Sequence, residues 1–571
     1  MLRIPSSIRC GSAFAACLLL VNCTTSPGTP TGVTGRCGGA TVNLAALSAI
    51  TAACDSSTTL TLAANGASYL VVPQFATDTG LVSQPVSYSI SATGGVVAAP
   101  APVANQVHFA SLAERGATPK RLDQAQRTFD AALMARARRT PASQRRSLAR
   151  GPLLLTTVPT VGSTRQFQVL SSTTLNRYAT VTGQLMYVGN NILLYQDTQS
   201  PSNGFSSSQL QGVGQLFDQT MYPIDTTTFG SPTDIDQNGR LIMLMSPVVN
   251  SLTPASTCQQ QGFIGGFFNS TDLVNAANSN GGEIFYSIVP DPNGTVSCAH
   301  SVNEMLLDTP AIFLHELQHL INFSQHFVLR NGNAEKGWLD EGLSIVAEEL
   351  GSLYYEQKFP PPTGRTDPNQ IFPDSSQGFI GSLLPDSYQY LLLTDTATAT
   401  LHSDADLGTA WRGSDWLLLR WLGDHMSSGF YRALERTTNT GAVNISVAAN
   451  QSFQSLFGDF SLSLYTDSLP GIARSAVPQN DRFISRNLRR MYQRLFDTSS
   501  PQFAPRPFPI VTRSLTGTIN ATMPVGTMSF YRVNTASNAA TVTITFSAPG
   551  GATLGTHNHP QLSVFRLPPG V

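Results

Sequence analysis

His315 and His319 stand four residues apart, with Glu316, Leu317 and Gln318 between them. On a helix that spacing sets the two imidazoles one turn above each other on one face, where both can reach a single ion at about 2.0–2.1 Å. Glu316, one step round the helix, flanks such an ion without ligating it. Trp338-Leu339-Asp340-Glu341-Gly342 begins nineteen residues after His319 and opens a second run of helical periodicity. Two helices joined by such a loop can pack antiparallel, and Glu341 then aims its carboxylate at the imidazoles. Three protein ligands that leave a fourth position for water make the ligand set of a catalytic zinc site rather than a structural one. Glu348 lies seven residues beyond Glu341, on the same helical face, and either it or Asp340 is expected to hold a histidine ring N–H and fix its tautomer. The plainer alternative is a pair of ordinary amphipathic helices whose histidines are satisfied by neighbours.

The elements that must position these residues follow from the rest of the chain. At 571 residues the chain is too long for one core, so several domains and linkers are expected. Apolar residues make up 41%, charged residues 12%, and the net charge is -1. That near-neutral balance offers no field to attract nucleic acid or an anionic membrane. Strand-like runs come first between 153 and about 497, and helical periodicity follows from Ser301 onward, which predicts an α+β domain over 153–500. Short alternating runs bounded by Gly, Pro and Asn predict an N-terminal β domain at 38–110 and a separate C-terminal β module, sandwich-like, at 510–571. Between the first β domain and the α+β domain lies a basic linker, 111–152. Its stretch 114–150 carries ten Lys or Arg against three acids and reads as a solvated helix, or else as a cleavable or anion-binding segment.

The motif now reaches a family resemblance. Phe313-Leu314-His315-Glu316-Leu317-Gln318-His319-Leu320-Ile321-Asn322-Phe323, taken with Trp338-Leu339-Asp340-Glu341, resembles the gluzincin peptidases, the thermolysin-like group, and more closely the hyicolysin family of bacterial zinc metalloproteases. The segments 234–240 and 281–286 share in the resemblance, which spans about 161–469 and leaves both flanking β segments unassigned. It implies a thermolysin-like zincin fold, a Zn2+ cofactor, and hydrolysis of peptide bonds in extracellular proteins by metal-activated water with Glu316 as general base. Gluzincins usually add a downstream Tyr or His that steadies the oxyanion. The candidates here are Tyr388, Tyr390, His402 and Arg412, and Arg412-Gly413 stands where relatives carry Tyr-Gly.

The N-terminus reads as a targeting segment, 1–22, with Arg3 and Arg9 ahead of an apolar run over 13–21 that is too short to span a membrane. Leu20-Val21-Asn22-Cys23 resembles a bacterial lipobox, with acylation of Cys23 and a flexible tether over 23–37. The expected location is therefore the cell envelope as a lipoprotein, or the medium after ordinary secretion, with membrane contact only through lipid at Cys23. Of seven Cys, Cys10 and Cys17 leave with the signal. Cys37 with Cys54 and Cys258 with Cys298 are then expected as two disulfides, paired by proximity along the chain.

Asp234-x-Asp236-x-Asn238-Gly239 begins like a calcium loop, but Met245 holds the twelfth position. It reads as a tight polar turn into a strand or as a weak Ca2+ site. Three functions remain open on the sequence: an endopeptidase acting on proteins or peptides, a surface-binding or adhesion lipoprotein with an inactive peptidase-like core, and zinc-dependent hydrolysis of something other than peptides. The intact Glu316 argues against the second.

Overall fold

The computed structural model describes residues 41–53, 57–81, 83–98, 124–146, 158–358, 379, 383–401, 409–498 and 504–571. Cys23, Cys37, Cys54 and His402 lie outside the described residues.

A mixed six-stranded sheet supports the site. It contains β6 (Thr164–Leu170), β7 (Tyr178–Val188), β8 (Ile192–Asp197), β9 (Leu241–Met245), β10 (Gly266–Phe268) and β11 (Ile284–Ser287), in the order β10-β11-β9-β8-β7-β6. β7 alternates buried and accessible residues, as a strand with one wet face must. β9, Leu-Ile-Met-Leu-Met, is buried at every position, because it runs parallel to both β8 and β11 at the centre of the sheet. β10 pairs antiparallel with β11 alone and forms one edge of the sheet.

Helix α1 (Gln124–Arg138) precedes this sheet. The helices α2 (Val302–Phe323), α3 (Gly337–Lys358), α4 (Leu383–Leu392) and α5 (Thr409–His425) follow it, and α6 (Phe453–Thr466) leads away from them. Pro310, a residue that suits a first helical position, lies inside α2. A capping box between Ser301 and Glu304 starts that helix at Val302, and the two donors it satisfies fix the start upstream of the proline. Phe313 holds α2 on the sheet, stacked on Phe217 with ring centroids 4.5 Å apart and edge-on to Phe285 at 5.4 Å.

The two terminal β segments are not separate modules. β1 (Ala49–Ala53), β2 (Thr58–Ala63), β3 (Ser68–Phe75), β4 (Val86–Thr93) and β5 (Val96–Val97) come from the N-terminal side. β12 (Arg513–Ser514), β13 (Thr518–Met523), β14 (Tyr531–Thr535), β15 (Thr541–Ser547) and β16 (Pro560–Leu567) come from the C-terminal side. One sheet runs β1-β16-β3-β14-β12 with β5 also on β14, and the other runs β13-β4-β15-β2. Each of the five N-terminal strands pairs with a strand from the other end of the chain. Their facing side chains, among them Tyr69, Phe75, Ile90, Phe546 and Val564, form one core. Each half alone would leave open edges and an uncovered apolar face, so the halves stabilise each other. The α+β region is in effect inserted into a single sandwich. Ser461 of α6 donates to Gln74 of β3, and Lys336 pairs with Asp78 at 2.8 Å.

The basic segment is also not a solvated linker. Phe129, Asp130 and Leu133 of α1 are buried, Arg146 donates to Ser279 Oγ at 2.9 Å, and the Arg145 guanidinium lies 4.4 Å from the centre of the Phe327 ring. No helix among the described residues is long and apolar enough to cross a membrane.

Candidate metal centre

α2 presents His315 and His319, and α3 presents Glu341. Pairing of His319 with residues 340 and 344, and of the earlier His315 with the later Glu348, shows that the two helices run antiparallel. The Nε2 atoms of His315 and His319 are 3.2 Å apart, and Glu341 Oε2 lies 3.6 Å from each. Three donors on a zinc ion with bonds of about 2.0–2.1 Å and tetrahedral angles stand roughly 3.3 Å from one another, so the triangle fits that ion.

The other ring nitrogens decide what the Nε2 atoms can do. Nδ1 of His315 is 2.7 Å from Glu348 Oε1, and Nδ1 of His319 is 3.0 Å from Asp340 Oδ1. The two carboxylates treated as rivals in the sequence thus face different histidines. Carboxylates only accept, so each Nδ1 carries the proton and each neutral Nε2 is left with a bare lone pair. Two lone pairs at 3.2 Å and a buried, unpartnered Glu341 Oε2 call for a cation between them. Ser344 Oγ, also 3.1 Å from His319 Nδ1, donates to Gln318 Oε1 at 2.5 Å.

The surrounding charges demand positive charge at the same place, which without a metal would be a second proton on each ring. Burial lowers His315, but Glu341 and Glu348 outweigh it and raise the ring to about 10. Burial likewise lowers His319, and Asp340 with Glu341 more than offsets it. For Glu341, burial raises the carboxyl, while His315 and Arg412 together hold it well below the usual range. This is an acid-rich site whose imidazoles are pulled toward positive charge. A bound metal ion satisfies the same demand.

Glu316 projects beside the triangle and is 2% exposed. Its Oε2 accepts from the Phe268 N–H of β10 at 2.8 Å, and its Oε1 is buried without a hydrogen bond. Burial raises this carboxyl, against the pull of His315 and His319.

Of the candidate oxyanion donors, Arg412 of α5 donates to Glu341 Oε1 and, at 3.1 Å, to Glu348 Oε1. Gly413 lets α5 come this close to α4, since a Cβ there would overlap the backbone of Asp386 and Ser387. Tyr388 is committed elsewhere, its hydroxyl donating to Arg506 O at 2.6 Å. Tyr390 is fully buried and its hydroxyl has no hydrogen-bond partner among the described residues. The 234–240 loop forms a polar turn. Asp234 accepts from Gly239 N, Asp236 from Asn238 N, and Asn238 from Arg240 N, while Arg165 approaches Asp236 to 3.8 Å. Gly239 takes φ +69° to close the turn. Buried Glu283 joins Asp234 and Asp236 there and was not among the candidates. Cys258 and Cys298 are disulfide-bonded, with Cα atoms 6.1 Å apart.

Sequence reasoning missed Asp130 and Gln126 of α1. One oxygen of Asp130 lies within 4.8 Å of ligand atoms of His315 and Glu316. Its only signal was an acid set between Phe129 and Leu133 at helical spacing, within a run otherwise dominated by arginine.

A buried His-His-Glu set on antiparallel helices, with a carboxylate alongside, is a candidate metallohydrolase centre. No family model matches the chain. Over 151 residues the chain is 27% identical to the neutral metalloprotease ShpI of Staphylococcus hyicus, a match covering 26% of this chain and 32% of that protein. The chain thus spans about a third of that relative's length. The similarity supports a metallopeptidase relationship at the level of a family.

Proposed function

We propose that the protein is a zinc-dependent endopeptidase of gluzincin type, with His315, His319 and Glu341 as metal ligands and Glu316 as general base. The triangle of two Nε2 atoms and Glu341 Oε2, with the free Oε1 of Glu316 beside it, carries this reading. A zinc ion held there supplies a Lewis acid that acidifies water and polarises a carbonyl oxygen.

The chain's own groups do the rest. The Phe268 N–H fixes one oxygen of Glu316, so the other is presented to water, takes its proton and returns it to the leaving amine. Glu348 and Asp340 keep each Nδ1 protonated and each Nε2 free to bind metal. Arg412 orients Glu341 by engaging the oxygen that does not face the histidines. Substrates are proteins or peptides, reached outside the cell by a chain that is exported, either as a lipoprotein anchored at Cys23 or by ordinary secretion. Digestion of a denatured protein by the purified chain, with and without a chelator, tests the reading: cleavage abolished by chelation and restored by zinc is expected, and cleavage indifferent to the chelator would overturn it.

A further inference from the structure

Helix α1 occupies the approach to the metal centre. Asp130 is 4% exposed, and its carboxylate lies among His315 and Glu316. Gln126 donates to Asp130 Oδ1 at 2.8 Å and so aims it. Burying a carboxylate beside a second carboxylate is costly unless a cation sits with them.

The rest of the helix fills the ground a substrate would need. The Gln126 amide accepts from Gly265 N and donates to Gly266 O, both at 2.8 Å. It therefore meets the open edge of β10 as a peptide group of an added strand would. Phe129 sits edge-on to Phe267 with ring centroids 5.2 Å apart. The space left between α1 and the His-Glu face of α2 is about 30 Å³, room for one or two water molecules and far too little for a polypeptide.

We propose that α1 is an intramolecular latch: Asp130, set against His315 and Glu316, closes the open side of the metal centre, and the cleft admits a polypeptide only when the helix leaves. The proposal rests on the metal-site reading above and adds its regulation. Release does not require loss of the N-terminal strands, because β1–β5 are held by the C-terminal strands independently of α1.

The test uses the full chain loaded with Co2+ and leucine hydroxamate as a metal-directed probe. The wild type is compared with Asp130→Asn, with Asp130→Ala, and with Gln126→Ala/Phe129→Ser, which loosens the helix and leaves Asp130 in place. Both Asp130 variants are expected to shift the cobalt absorption bands and to bind the hydroxamate at least tenfold more tightly, and the loosened variant to gain affinity too. That response supports the latch even if no variant cleaves peptides, in which case the peptidase reading alone falls. Bands and affinity unchanged across all variants would overturn the latch. Failure of every form, wild type included, to take up cobalt would remove the metal site and the latch with it.

Discussion

Arg412 donates to one oxygen of Glu341 while the other oxygen stands 3.6 Å from both histidine Nε2 atoms. A guanidinium so placed would orient Glu341 as a ligand in the proposed metal site. Arg412→Met keeps much of the volume but frees the carboxylate to rotate and removes the charge opposite Glu348 and Asp386. Zinc affinity, measured by competition with a chromogenic chelator, is expected to fall about 10- to 100-fold. Unchanged affinity would show that Glu341 needs no such support.

His315→Ala and Glu341→Ala each remove one corner of the triangle. Both variants should lose stoichiometric zinc by elemental analysis, and the melting temperature should no longer rise on adding zinc, since binding energy and folding energy are linked. Retention of one zinc per chain in either variant would contradict the ligand assignment.

Farther along α3, Glu349 and Glu356 hold the fully buried Arg486 between them, at 2.8 Å and 3.2 Å. Replacing it by Met leaves two buried carboxylates short of their cation, which costs about 3–5 kcal/mol. The denaturant midpoint should fall accordingly, and adding Glu349→Gln and Glu356→Gln should recover part of the loss. A midpoint within error of wild type would contradict the buried ion-pair network.

Two acids remote from the metal predict a pH dependence. Burial raises Asp459 from 3.8 to about 6 and Asp481 from 3.8 to about 8. Because the folded values lie above the unfolded one, the folded state holds these protons longer. Their contribution to stability is complete below about pH 4 and is lost as the pH rises through 6 and then 8. Asp481→Asn should flatten the alkaline part of that decline in melting temperature between pH 4 and 9; a parallel curve would contradict it.

How much of this was legible in the sequence depends on the range of the interaction. His315, Glu316 and His319 are fixed relative to one another by helical spacing, and Glu341 needs only one loop and one helix pair, so their grouping could be read locally. Alternation at residues 68–72 and 540–546 announces strands but carries no information about partners, which is why one sandwich built from both ends of the chain looked like two modules. Asp130 was invisible for another reason: a lone acid among arginines reads as solvent-facing, and only the tertiary packing of Phe129 and Leu133 turns it inward.

In the proposed mechanism Glu316 separates catalysis from metal binding, because its Oε1 would face the reacting water without ligating the metal. Glu316→Gln keeps the shape and can still hold the Phe268 N–H, but it cannot accept a proton at neutral pH. Hydrolysis of a fluorogenic peptide, measured at matched zinc content in both the wild-type and the Asp130→Ala backgrounds, should fall by a factor of about 10,000 or more, with zinc occupancy and melting temperature preserved. Equal rates with and without the carboxylate would contradict its role as the base.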